Sequence, residues 1–137
     1  MHWHARYHTE GTGHLYQDRY KTFPIEEDEY LLTVLRYVER NALRANLCER
    51  AEDWKYASLW RRICGDKESQ KLFSVWPFAR PQAGKALVNR AQTETEKKTI
   101  RICLKKGKPY GSNQFVTQAA ARLKITHALR PRGRPKK

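Results

Sequence analysis

The stretch 26–44, EEDEYLLTVLRYVERNALR, carries the clearest periodic pattern in the chain. Its first four residues, Glu26, Glu27, Asp28 and Glu29, are acidic, and a helix N-terminus favours negative charge. Leu31, Val34, Leu35 and Val38 follow at i, i+3, i+4 and i+7, the spacing of one buried stripe. The pattern predicts a helix with Leu31, Leu35 and Val38 buried and with Arg36, Arg40 and Arg44 pointing away from the stripe, Arg36 and Arg40 exposed. Tyr37 and Asn41 are four residues apart and so share one face, with Tyr30, Thr33 and Arg44 near it. A bend near Asn41 and a second short helix, about Leu43 to Glu49, are expected next.

Upstream, Met1–Tyr7 reads as the end of a helix, stopped by the turn-rich Thr9–Gly13. The aromatic, partly alternating run that follows predicts a strand around Arg19–Phe23, ended by Pro24. Downstream, Trp54, Tyr56, Leu59 and Trp60 suggest a packed element ending at Gly65, and residues 74–92 read as an irregular connector. Thr93–Lys106 predicts a helix with Ile100, Cys103 and Leu104 on its apolar face. A turn over Gly107–Gly111 leads to Ser112, which can cap a last helix through Leu123, with Phe115, Ala119 and Leu123 in register. Helix, turn and helix with high positive charge fits either a small DNA-binding unit or an ordinary helical hairpin.

The charge is strongly basic and uneven. The 137 residues carry 28 Lys and Arg against 14 Asp and Glu, a formal net of +14. Residues 91–137 hold 13 basic and 2 acidic side chains, so +11 of that total sits in the last third. Such a balance calls for a polyanionic partner or for a solvent role that keeps the chain soluble. Apolar residues make up 39%, enough for a small core only. Cys48, Cys64 and Cys103 are odd in number and contain no Cys-x-x-Cys pair, which argues against a disulfide framework or a thiolate zinc site. No apolar run is long enough for a membrane span, and the N-terminus lacks the apolar region of a secretory signal. A cytoplasmic, nucleoid-associated location is the expectation.

The chain ends Arg130-Pro131-Arg132-Gly133-Arg134-Pro135-Lys136-Lys137, which resembles an AT-hook with its Arg-Gly-Arg-Pro core. Gly133 lets the backbone lie on the floor of a narrow minor groove, and Arg132 and Arg134 then point along it in opposite directions. The prolines keep the peptide extended and lower the entropy of ordering it. The same residues also fit a generic basic tail that binds any phosphate backbone.

Residues 11–62, with Gly13-His14-Leu15-Tyr16-Gln17, Arg19-Tyr20-Lys21 and Leu35-Arg36-Tyr37-Val38-Glu39-Arg40-Asn41, resemble the C-terminal half of the REP-associated tyrosine transposases. These belong to the single-tyrosine HUH superfamily, and the likeness runs from about residue 3 to about residue 65. It implies an α+β fold, a partial ferredoxin-like domain followed by a basic helical extension and a disordered tail. It implies that Tyr37 is a catalytic nucleophile that attacks a DNA phosphate to give a 5′-phosphotyrosine. Asn41 would complete the site of a divalent metal, magnesium or manganese, held by two histidines of a His-hydrophobe-His strand. Arg19, Lys21, Arg36, Arg40 and Arg44 would contact DNA, a single-stranded hairpin in that family.

The chain also departs from the family pattern. The histidine strand belongs upstream of residue 1. His2-Trp3-His4 imitates it but falls on the helix before the glycine turn, where His4 and His8 share helical spacing. Ala42 replaces a usual proline, and Asp18 a common glycine. The expected organisation is therefore 1–65, the C-terminal half of a catalytic domain; 66–92, a connector; 93–127, a helical DNA-binding extension; and 128–137, the AT-hook-like tail. The expected function is DNA binding by a transposase-derived chain, truncated and without cleavage activity or bound metal of its own. Its DNA partners would be hairpin single strands and, through Arg130, Arg132, Gly133, Arg134, Lys136 and Lys137, A·T-rich duplex. A non-catalytic regulator and an RNA-binding basic protein are the alternatives. The RGRP core favours DNA, because A-form RNA offers no narrow A·T slot.

Overall fold

A computed structural model describes residues 20–74, 81 and 83–130. Seven α-helices lie among the described residues: α1 (Glu29–Glu39), α2 (Asn41–Arg44), α3 (Ser58–Cys64), α4 (Lys67–Lys71), α5 (Gly84–Asn89), α6 (Glu94–Lys106) and α7 (Asn113–Arg122). Short 3-10 turns span Ala51–Asp53 and Thr126–Leu129. The β structure among these residues is one isolated parallel bridge, Ile25 with Tyr110.

This overturns the expected α+β, ferredoxin-like sheet. Of the predicted strand Arg19–Phe23, Arg19 lies outside the described residues and Tyr20–Phe23 form no strand. Tyr20 is 90% exposed, and Pro24 offers no N–H to a ladder. The apolar side of α1 is covered by helices instead: α1 packs on α5 and α6.

The burial pattern along α1 turns accordingly. Val34 is buried, Leu31 and Leu35 are half-buried, and Val38 is 59% exposed, contrary to the expected burial of Val38. Arg36 and Arg40, expected to be exposed, are half-buried under α5 and α6. The reason is a capping need. A helix ends with carbonyls that have no intrahelical donor. The carbonyls at the C-terminal end of α5 find theirs on α1. Arg36 Nε donates to Leu87 O at 3.1 Å and its Nη2 to Arg90 O at 3.3 Å. Arg40 Nη1 donates to Val88 O at 2.7 Å and also to Asn89 O. Burial, and then the charges of Arg36 and Arg44, lower the Arg40 pKa from its ordinary value.

The predicted connector therefore contains structure, since α5 lies within it and delivers Val88 to a core. That core joins Ala51, Leu59 and Val88, with Leu43 against them. Asn89 laces it together, donating to Glu52 Oε2 at 2.6 Å while its Oδ1 accepts from Ala51 N at 3.0 Å. The bend falls at Arg40, and α2 ends at Arg44 rather than running to Glu49.

On and after α6, Ile100, Cys103 and Pro109 are the largest fully buried side chains among the described residues. Sequence and structure agree closely here. Thr93 and Glu96 form a reciprocal capping box that starts α6 (Glu96 N to Thr93 Oγ1 3.1 Å, Thr93 N to Glu96 Oε2 2.7 Å). Gly107 ends the helix at φ 66°, a backbone that favours glycine. Leu104, expected on the apolar face, is exposed. Ser112 caps α7, accepting from Phe115 N at 3.3 Å.

Candidate nucleic-acid interface

The turn between α6 and α7 is held by the segment before α1. Tyr110 N donates to Pro24 O and Glu26 N to Tyr110 O, both at 2.9 Å. The Glu26 carboxylate accepts from Ser112 N at 2.6 Å and from Ser112 Oγ at 3.0 Å. Gly111 makes that approach possible, because a Cβ there would lie 2.6 Å from Glu26 Oε2 and 2.6 Å from Phe115 Cδ1. Tyr30 meets Tyr110 edge-on, with ring centroids 5.2 Å apart. Gln92 Nε2 donates to Thr33 O at 3.0 Å, and Arg36 lies 3.7 Å from Glu96. The base of α7 is thus fixed to the segment before α1 by side-chain and backbone bonds at once.

What α7 then presents is a divided surface. Phe115, Val116, Ala119 and Ala120 are half-buried or buried, whereas Asn113, Gln114, Thr117, Gln118, Ala121 and Arg122 are exposed. The exposed set falls at i, i+1, i+4, i+5, i+8 and i+9, one continuous helical face. On α6, Lys98, Arg101 and Lys105 are exposed at i, i+3 and i+7, a cationic stripe. The two acids of residues 91–137 lie in the first turn of α6: Glu94 pairs with Lys97, and Glu96 serves the cap. From Lys97 to Lys137 no side chain carries a carboxylate. The arginine-rich end begins beside this stripe, where Lys106 Nζ donates to Arg130 O at 3.2 Å.

The other site residues expected from sequence are brought together only in part. Tyr37, Asn41 and Arg44 converge. The Arg44 guanidinium lies over the Tyr37 ring, 4.1 Å from its centroid. It donates to Tyr37 O at 3.2 Å and to Asn41 Oδ1 at 2.8 Å. Tyr30 turns elsewhere, toward Tyr110, and Thr33 Oγ1 donates to Glu29 O at 2.8 Å. Arg36 and Arg40 are committed to carbonyls of α5 and the residue after it, which accounts for their charge without a DNA phosphate. Lys21 is exposed in the segment before α1. Arg19, Arg132, Gly133, Arg134, Lys136, Lys137 and the histidines His2, His4 and His8 lie outside the described residues.

A divalent cation does not fit the donors that the described residues offer near Tyr37. The Asn41 oxygen that would ligate it already accepts from Arg44, whose positive charge would repel a metal ion. Among the described residues no group of three His, Cys, Asp or Glu side chains gathers. No helix of the described residues is long and apolar enough to cross a membrane.

The Glu26 to Ser112 link was not legible from sequence, since nothing local signals a contact 86 residues away. The polar face of α7 had a signal in the 113–122 pattern, where amides and a hydroxyl alternate in pairs with apolar residues. No family model, curated protein or solved structure matches the chain.

Proposed function

We propose that the chain binds DNA through its last third and descends from a REP-associated tyrosine transposase, without acting as a strand-cleaving enzyme by itself. The observation that carries the DNA-binding reading is the carboxylate-free run from Lys97 to Lys137, built around the exposed stripe Lys98, Arg101 and Lys105. A polyphosphate backbone is the natural partner of such a surface, because each neutralised phosphate releases counterions. The transposase ancestry is supported by the residue likeness over 11–62, and by Tyr37, Asn41 and Arg44 lying together.

The test is a titration of the full chain against labelled duplex DNA at several salt concentrations. Binding that weakens steeply with salt, and that weakens further when Lys98, Arg101 and Lys105 are changed to glutamine, is the expected result. Absence of duplex binding at low salt, or binding indifferent to those changes and to salt, would overturn the reading.

A further inference from the structure

The C-terminal third is dense in cations, yet the thirteen residues 109–121 between Lys108 and Arg122 carry no charge at all. These include all of α7 except Arg122 at its end, and the exposed side chains among them are amides, a hydroxyl and a methyl: Asn113, Gln114, Thr117, Gln118 and Ala121. A surface meant only for phosphates would place lysines and arginines there. Phosphates are held by cations, whereas base edges are read by neutral groups that both donate and accept. Asn and Gln pair with adenine N6 and N7 in two parallel hydrogen bonds, and small apolar groups meet the thymine methyl.

We infer that the exposed face of α7 reads base edges in the major groove of duplex DNA, with Asn113, Gln114 and Gln118 directed at adenines. This rests on the DNA-binding reading above and adds the groove, the contact residues and the base class. The occupant follows from charge complementarity: along the chain the uncharged run 109–121 is preceded by Lys108 and followed by the exposed Arg122 and Lys124, cations suited to the phosphates that border a groove. Ten helical residues make a rod about 15 Å long, and the B-form major groove, about 12 Å wide, admits a helix. The Glu26 clamp on Ser112 holds the first turn of α7, so its face is presented by a fixed base rather than by a loose arm. Thr117 Oγ1 already donates to Asn113 O at 2.9 Å, and the amides of Gln114 and Gln118 stand one turn apart.

The experiment is a selection of random duplexes by the full chain at fixed salt, followed by titrations on the selected sequence. Wild-type protein should enrich an adenine-containing motif. Replacing adenine with 7-deazaadenine in that motif removes the N7 acceptor of the major groove and leaves the minor groove untouched. It should weaken binding about tenfold per contacted base. Changing Asn113, Gln114, Thr117 and Gln118 together to alanine should abolish the enrichment and leave the salt-dependent affinity for unrelated duplex. Alanine favours helix at these exposed positions, and an unchanged thermal transition shows that the variant folds. Failure to enrich a motif, an unchanged motif in the alanine variant, or indifference to 7-deazaadenine would each overturn the inference while the DNA-binding reading stands. Absence of any duplex binding, or tighter binding to structured RNA than to duplex DNA, would overturn both.

Discussion

Lys124 takes a backbone conformation that a lysine resists. Its φ is 57°, in the left-handed region, at the point where α7 stops. The stop is a Schellman motif, with Ile125 N donating to Ala120 O at 2.9 Å and Lys124 N to Ala121 O at 3.1 Å. Glycine takes that conformation without a Cβ penalty, which for other residues is about 1–2 kcal/mol. Part of the gain is offset by the greater freedom of glycine in the unfolded chain. Lys124→Gly should therefore stabilise the fold by about 0.5–1 kcal/mol, read as a higher denaturant midpoint. Glu52 sits at the opposite extreme of fit. Burial would raise its pKa, but hydrogen bonds from Asn89, its own backbone N–H and Arg50, with the charge of Arg50, lower it below the usual carboxylate value. A lowered folded pKa gives stability that is present above the unfolded pKa, about 4.3, and is lost as pH falls through the folded value. Glu52→Gln should flatten that acid limb below about pH 4.5 in urea titrations at stepped pH.

Helices, taken one at a time, were legible in proportion to how locally they are specified. Thr93, Glu96 and Gly107 mark the ends of α6 by chemistry that acts within one turn, and the structure follows them. The periodicity of α1 located the helix but not its buried side, because which residues are covered depends on α5, which packs on it from more than forty residues away. Arg40 is half-buried for that reason: α5 brings it carbonyls to donate to. The convergence of Tyr37, Asn41 and Arg44 was visible in part from helical spacing, since four residues make one turn. Two substitutions separate packing from pattern. Ile100, 2% exposed, should cost about 2–5 kcal/mol when cut to alanine, whereas Val38→Ala should change stability by less than about 0.5 kcal/mol. Equal effects of the two, measured by chemical denaturation, would contradict the helix packing described. Arg40→Met should lower stability, by about 1–3 kcal/mol for the carbonyls left without donors, and should leave duplex affinity near the wild-type value. A large loss of affinity in a folded Arg40→Met protein would return that residue to the DNA surface.

For the molecule as a whole, the decisive property is the separation of a weakly charged first part, residues 1–90, from a cationic last third. The sum of charges gave that division directly, and the absence of a sheet among the described residues could not be foreseen from it. The strand at Arg19–Phe23 was inferred from alternation and from family likeness, and alternation by itself supplies no neighbouring strand. At this scale the chemistry expected of Tyr37 can be tested directly. Incubation of the full chain with single-stranded hairpin DNA and manganese should give no covalent adduct on denaturing gels. An adduct that disappears in Tyr37→Phe would establish that cleavage chemistry survives.

The clamp between Glu26 and Ser112 also orders events in time. The two residues are 86 positions apart, so the bond closes a long segment of chain, at an entropic cost that grows with the logarithm of its length. Helices α6 and α7, specified by their own caps, can form as soon as they are synthesised. Their attachment to α1 must wait for both ends of the segment to meet. During translation Glu26 leaves the ribosome long before Ser112 exists, and its carboxylate stays in water until α7 arrives. The bond that fixes the base of α7 is therefore among the last to form, and a nascent chain stopped short of Ser112 lacks it altogether.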